Sequence, residues 1–324
     1  MSRGPDLDAG PHVGSRASLR ERTVVAPISW GVSEVPGWGH QMPVHRVLTE
    51  MRALGLATTE LGPPGFLPAG PDDRAALLDR YGLRAIGGFV TVVLHDPDAD
   101  PERSLARTAA EFATAGVGVL VLAADLGQVG YDEKVEVGPA GWRTMLANLD
   151  RAAAIAVDHG LIATLHPHIG TAVERPEQVE RVLSESGIAL CLDTGHYLVG
   201  GGDPAELAAT AADRIAHMHL KDTDPELAAQ VRAGDLGYAD AVAAGLYRPL
   251  GQGGARIADV VGRLESAGYR GWYVLEQDIR LDREPDRQDP RAGPIGAVRA
   301  SLDFLAALEP ELEREPPAGS DQGH

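Results

Sequence analysis

Short, unbroken runs of apolar residues alternate with longer runs in which apolar positions recur every three or four residues, from about Arg22 to Leu308. The short runs are TVVAPISWG (from Thr23), ATTELG (Ala57), LRAIGGFVTVVL (Leu83), GVLVLAAD (Gly118), LIATLHPH (Leu161), IALCLD (Ile188), RIAHMHLKD (Arg214) and GWYVLEQD (Gly271). Continuous apolar runs, rather than strict alternation, suit parallel strands covered on both faces. Between them lie Ala-, Leu-, Arg- and Glu-rich segments such as PVHRVLTEMRALG, DPERSLARTAAEFATAG and ARIADVVGRLESAG. Several open on proline and close on glycine, the preferences of a helix's first turn and of the residue past its end. Eight strands in alternation with eight helices predict an α/β protein, a (β/α)8 TIM barrel, as a single domain over residues 22–309. A doubly wound open sheet would need a glycine-rich phosphate loop after the first strand, and SWGVSEVPGWG is not one.

The alternation breaks once. After HMHLKD, the stretch TDPELAAQVRAGDLGYADAVAAGLYRPLGQGG precedes the helix near Ala255. A connection that long in a compact domain is usually functional, so it is expected to carry short helices and to cover the barrel mouth as a lid after strand seven. Residues 1–21 lack the apolar core of a secretory signal and read as a disordered leader; residues 310–324 read as a disordered tail. No run approaches the ~18 apolar residues of a membrane-spanning helix. These features predict a soluble, cytoplasmic protein without a membrane partner.

Charge narrows the partners. The chain has 47 acidic and 29 basic residues, a formal net charge of −18. That disfavours nucleic acid, because phosphate binding needs a basic patch. A small molecule is left as the expected partner; a homo-oligomer is compatible with such a barrel and leaves no motif. The one cysteine, Cys191, excludes an intrachain disulfide and a cysteine metal cage. Within ALCLD it reads as a small buried hydrophobe.

The chemistry gathers at strand ends, which in a TIM barrel face the active site. His166 and His168 close strand five; Asp193 closes strand six, with His196 three residues on. His217 and His219 close strand seven, followed by Lys221 and Asp222, and Glu276 closes strand eight. A lone histidine at such a position is more often a structural group, and an Asp before Thr-Gly can merely cap a turn. The joint occurrence in one half of the barrel points instead to a divalent metal site, with Mn, Co, Zn or Mg as candidate ions. The candidate ligands are His166, Asp193, His219 and Glu276, with His168 and His196 behind them; which of His166 and His168 reaches the ion stays open. Glu60 and His95 are candidates for the barrel mouth, and Glu174 reads equally as a helix N-terminal carboxylate. Trp30 and Trp38 are expected either to form an apolar platform under a sugar-like ring or to lie in the core.

The segments PISWGVSEVPGWG, EMRALGLATTELGPPGFLP, HPHIGT, CLDTGHYLVGGGDP, HMHLKD and GWYVLEQD together resemble the xylose-isomerase-like barrel superfamily of sugar isomerases and epimerases. The resemblance covers Thr23 to Leu308. DTGH, HxHLKD and the strand-eight glutamate belong to the whole superfamily and specify fold and metal. HPHIGT and the EQD ending are narrower and resemble the inosose dehydratase branch of inositol catabolism. The resemblance implies a metal-dependent carbon–oxygen lyase that dehydrates 2-keto-myo-inositol (scyllo-inosose) or a similar polyhydroxy ketone, with Mn or Co as the ion. It implies metal ligation by His166, Asp193, His219 and Glu276. His196, Lys221, His168 and Glu276 would be the catalytic groups, and Trp30, Glu60, His95 and His196 would contact substrate.

Two departures matter. Epimerases of this superfamily close strand five with a glutamate that shares a proton shuttle with the strand-eight glutamate. Here His166 stands in its place, which disfavours epimerisation unless Glu60 or Glu174 fills in. The strand-eight segment GWYVLEQD is also two residues shorter than the GWxxxExEQD form of the dehydratases. An isomerase or epimerase of a sugar or inosose is the alternative, and a non-catalytic sugar-binding protein comes third. A DNA-repair endonuclease on the same barrel is set aside by the negative charge.

Overall fold

The computed structural model describes residues 17–128, 130–132, 135–286 and 293–314. Its strands are β1 (Thr23–Val25), β2 (Thr58–Glu60), β3 (Arg84–Val93), β4 (Val119–Asp125), β5 (Ile162–Leu165), β6 (Ala189–Asp193), β7 (Ile215–Leu220) and β8 (Tyr273–Leu275). They form one closed parallel barrel, in which β1 pairs with both β2 and β8. Helices fill every connection between consecutive strands, so the expected TIM barrel is observed. Val24, Ile86, Trp272 and Val274 cluster inside it, and Val119, Val121 and Cys191 form another buried group.

Local sequence explains where strands stop. The β5 ladder ends at Leu165, because Pro167 has no N–H to give; one further bond runs from the His166 amide to the Leu122 carbonyl, at 2.7 Å. β3 is the exception in length, pairing with β4 as far as Val93 opposite Asp125. Its last residues therefore stand beyond the rim.

The long connection after β7 carries two helices, Pro225–Ala233 and Tyr238–Ala243. Asp222–Thr223 pairs antiparallel with Tyr247–Arg248 across its base. Asp222 closes this segment: its carboxylate accepts from the amides of Gly251, Gly253 and Ala255 at 2.8 to 3.0 Å.

Residues 1–16 and 315–324 of the expected leader and tail lie outside the described residues. The described parts of both segments are structured. Leu19 is buried, and its amide donates to Glu309 at 2.7 Å. The last helix, Pro294–Arg314, continues past Pro310, where Leu312 still packs on the core. Apolar side chains on either side of the expected boundaries, Leu19 and Leu312, carry the packed core past them. Among the described residues no helix is long and apolar enough to cross a membrane.

Candidate metal centre and active site

A cavity of about 720 Å³ opens where the strands end, and His166, His168, His196, His219, Lys221 and Glu276 line it. Asp193 is fully buried just behind its wall. One carboxylate oxygen, Oδ1, caps the helix Thr194–Val199 by accepting from the amides of Gly195 and His196, both at 2.8 Å. The other, Oδ2, is turned to His166 Nε2 at 3.3 Å, Lys221 Nζ at 3.4 Å and His219 Nδ1 at 3.8 Å. Capping and functional roles thus coexist in one side chain. Glycine is required next: a Cβ on Gly195 would lie 2.8 Å from Lys221 Cγ and from the Tyr247 ring.

Lys221 is the fully buried cation of the site. Its ammonium is 2.8 Å from Asp278 Oδ1, 3.1 Å from Glu276 Oε2 and 3.2 Å from His196 Nε2. Burial alone would lower its pKa, but Asp193, Asp278 and Glu276 raise it well above the ordinary lysine value. The same contacts act in reverse on the acids. Burial pushes Asp193 and Glu276 up, yet Lys221 and His196 around the first, and His219 and Lys221 around the second, hold both below the usual carboxylate range. Burial and the nearby Glu276 keep Asp278 above its ordinary value despite Lys221.

His219 connects the cavity to its floor. Its Nε2 is 3.2 Å from Glu60 Oε1, which also meets His217 Nε2 at 2.8 Å. Burial raises the Glu60 carboxyl, but His219 and His217 outweigh it and keep the group ionised. Burial pushes His219 down, while Cys191, Glu276 and Glu60 pull it well above the ordinary histidine value. His168 and His196 behave differently. Burial, His166 and Lys221 push His168 down to about 3, and burial, His168 and Lys221 hold His196 well below its usual value. The His168 Nδ1–H donates to the Ile169 carbonyl at 2.7 Å, which leaves the lone pair on Nε2. The His168 and His196 rings pack at a tilt of 36°, with centroids 3.8 Å apart.

Three sets of side chains could hold an ion: Asp193, His219 and Glu276; His166, Cys191 and His219; and Glu60, His217 and His219. The first contains three of the four expected ligands, and His166 adjoins it through Asp193. His166 Nδ1 and His219 Nδ1 are buried without a hydrogen-bond partner. His219 Nδ1 lies 3.3 Å from Glu276 Oε2, yet the two are not aligned as donor and acceptor. His219 Nδ1 converging with the Asp193 and Glu276 carboxylates without a hydrogen bond to either fits a borderline divalent cation. Glu60 then stands where an outer partner orients a ligating histidine. The second set is less suited, since burial pushes the Cys191 thiol up to about 11; Cys191 is the buried hydrophobe its sequence context indicated.

Two of the expected substrate contacts lie elsewhere. Trp30 is fully buried and its indole N–H donates to Glu50 at 2.7 Å, so it belongs to the core. The short helix Pro27–Trp30 after β1 turns it away from the cavity, while Trp38 does reach the lining. His95 is also absent from the lining: the long β3 carries it past the rim, where its carbonyl packs against Gly141. Glu60 reaches the cavity floor, committed to two histidines, and His196 lines the wall. Glu174 accepts from the Gly170 amide at 2.9 Å and braces its own loop.

Sequence reasoning passed over Asp278, Tyr238 and Tyr247. The Tyr238 hydroxyl donates to Asp278 Oδ2 at 3.0 Å and lies 3.1 Å from the Tyr247 hydroxyl, which is 3.5 Å from His196 Nδ1. Asp278 had a signal, standing two residues beyond Glu276 in the EQD ending. The tyrosines had only the unusual length of their connection.

The sequence profile of the family described as xylose isomerase-like TIM barrel matches residues 48–308. The chain is 30% identical over 312 residues to the rhizopine catabolism protein MocC of Rhizobium meliloti, covering 92% of this chain and 91% of that protein. It is 31% identical over 301 residues to an inosose dehydratase of Geobacillus kaustophilus (strain HTA426), covering 89% and 94%. Among solved structures, the IOLI protein with a binding zinc atom superposes with a TM-score of 0.62 at 14% identity, covering 91% of this chain and 100% of that one. At that identity the likeness shows the fold.

Proposed function

The chain belongs to the xylose isomerase-like TIM barrel family, and from that premise we propose that it is a metal-dependent dehydratase of scyllo-inosose or a similar polyhydroxy ketone. The observation that carries this reading is the wall facing Glu276. A two-carboxylate epimerase shuttle needs a second free acid there, and the wall carries His166 and His168 instead. Neither substitute is available: Glu60 is engaged by His217 and His219, and Glu174 by the Gly170 amide. Dehydration has different needs, a base for the C–H beside the ketone and an acid for the departing hydroxyl.

Asp193, His219 and Glu276, with His166, are the proposed holders of the ion. Mn or Co is the proposed identity, and Zn, which the related IOLI protein binds, and Mg are alternatives. A bound divalent ion supplies Lewis-acid polarisation of the ketone, which acidifies the adjacent C–H.

The chain's own groups divide the remaining work. His168, neutral and with its lone pair on Nε2, accepts the C–H proton. Lys221, kept charged by three carboxylates, faces the oxygen that gains negative charge and gives a proton to the departing hydroxyl, which leaves as water. His196, 3.2 Å from Lys221, orients the ammonium, and exchange with solvent restores both groups. Tyr238 and Tyr131 cover the histidines, and we assign the segment after β7 as the lid that excludes water.

The test is a continuous ultraviolet assay with scyllo-inosose and Mn. The expected result is growth of a conjugated-ketone absorbance that a chelator abolishes and that Asp193→Asn removes together with metal binding. Turnover that persists in the metal-free protein overturns the proposal.

A further inference from the structure

One acid of the cavity has no part in the scheme above. Glu34 lies in the loop after the helical turn Pro27–Trp30, and Val32, Ser33, Glu34 and Trp38 of that loop line the cavity. Asp278 and Glu276 are committed to Lys221, at 2.8 and 3.1 Å. The Glu34 side chain is exposed and open to whatever the cavity holds.

The loop that carries it is anchored. The Trp38 indole N–H donates to the Ile279 carbonyl at 2.9 Å, and the His40 amide donates to the Leu281 carbonyl at 2.6 Å. Glycine permits this approach: Gly39 has a φ of 122°, and a Cβ on it would lie 2.6 Å from the Leu281 oxygen. On either side of Glu34, the Ser33 amide donates to Gln41 Oε1 at 2.9 Å and the Val35 amide to Ser33 Oγ at 3.2 Å. Glu34 is therefore presented on fixed backbone, as a binding group must be to select a geometry.

Its neighbours locate the carboxyl. Burial and the fields of Asp278 and Glu276 raise it above the ordinary glutamate value, while its own amide and the Tyr131 hydroxyl act the other way. Tyr131 packs on the His168 ring, with centroids 5.2 Å apart. Glu34 thus stands between Tyr131, which covers the proposed base, and the Glu276 end of the proposed ion site. A ring held on the ion has to pass through that gap. A carboxylate with two other acids near it repels a phosphate or carboxylate and suits a neutral donor. Hydroxyls are such donors, and the two carboxylate oxygens can accept from neighbouring hydroxyls at once.

We propose that Glu34 is a substrate-binding residue that accepts hydrogen bonds from ring hydroxyls and so fixes which carbons face the ion and His168. The inference rests on the proposed function for the identity of the ring, and on the cavity for the contact.

The experiment compares wild-type protein with Glu34→Gln, both loaded with Mn, on scyllo-inosose and on its analogues lacking one hydroxyl. Kd is read from the first phase of tryptophan fluorescence on rapid mixing, before turnover, since Trp38 lines the cavity. Product formation gives kcat and KM, and calorimetry gives the affinity for Mn. The expected result is a Kd for scyllo-inosose about tenfold weaker in Glu34→Gln, which loses the charge on the acceptor. The loss should fall on KM more than on kcat, with Mn affinity unchanged. At least one deoxy analogue should bind both proteins equally, because the hydroxyl that Glu34 receives is already gone. An unchanged Kd overturns the contact, as does a loss of the same factor for every analogue, which would make Glu34 a structural residue of its loop. If Glu34→Gln does not fold, Glu34→Asp, with the charge on a shorter arm, takes its place in the same comparison. The two readings fail separately. A Kd that depends on Glu34 without loss of water from any ring sustains the contact and sinks the dehydration, whereas dehydration indifferent to Glu34→Gln does the reverse.

Discussion

Lys221→Met is the sharpest perturbation of the site. The ammonium is fully buried, with carboxylate oxygens at 2.8, 3.1 and 3.4 Å. At an effective dielectric of about 20 each contact is worth about 5 kcal/mol before desolvation, and the desolvation of a buried ammonium cancels most of the sum. Removing one partner of a buried ion pair typically costs ~3–5 kcal/mol, because the charges left behind stay unpaired. Protonation of Asp278, whose carboxyl already sits above its ordinary value, recovers part of that. The net expectation is a loss of about 3 kcal/mol, or roughly 5 °C in Tm for a domain of this size. Thermal denaturation followed by circular dichroism in chelator measures it. The same substitution removes a positive charge from between Asp193 and Glu276, so adding Mn should raise the Tm of Lys221→Met more than that of the wild type. A Tm within a degree or two of wild type would refute the buried ammonium, and an unchanged Mn response would refute the shared carboxylates.

Glu60→Gln weakens the acceptor behind His219 and should lower Mn affinity by about 10- to 100-fold in a calorimetric titration, with the fold retained. Tyr238→Phe removes the donor to Asp278 and should cut kcat by about tenfold while Tm changes little; equal losses in both would make the hydroxyl structural. Stability of the metal-free protein should fall as pH drops below about 6.5. The folded pKa of His168, about 3, is below its unfolded value near 6.5, so its contribution is complete above 6.5 and is lost as pH falls toward 3. The slope from this group reaches about 1.4 kcal/mol per pH unit, buried His166, His196 and His217 act in the same direction, and His219, with its raised pKa, opposes them. Urea titrations of wild type and His168→Gln across that range check it; equal slopes would contradict the burial of a neutral His168.

Much of this was legible in the sequence because barrel strands advertise themselves. Runs such as VLVLAAD are apolar on both faces, and a polar residue closing one of them must sit at the rim. That logic placed His166, His219, Lys221 and Glu276 around one cavity, with Asp193 buried directly behind His166 and Lys221. It failed where the chain left the strand's geometry. Trp30 lies in a short helical turn that reverses its direction, and His95 follows a strand that overshoots the rim. Tyr238 and Tyr247 could not be found by period, since their place depends on how a segment outside the barrel repeat folds back over β6 and β8. Glu60 was legible as a position and not as a role: its pairing with His217 and His219 crosses the barrel, and a strand pattern does not encode what stands opposite.

The mass of the product formed from scyllo-inosose by the Mn-loaded protein tests metal-dependent dehydration most directly. A histidine wall opposite Glu276 predicts a product lighter than the substrate by one water. An isomer of unchanged mass would contradict it and would mean that an acid other than Glu276 returns the proton.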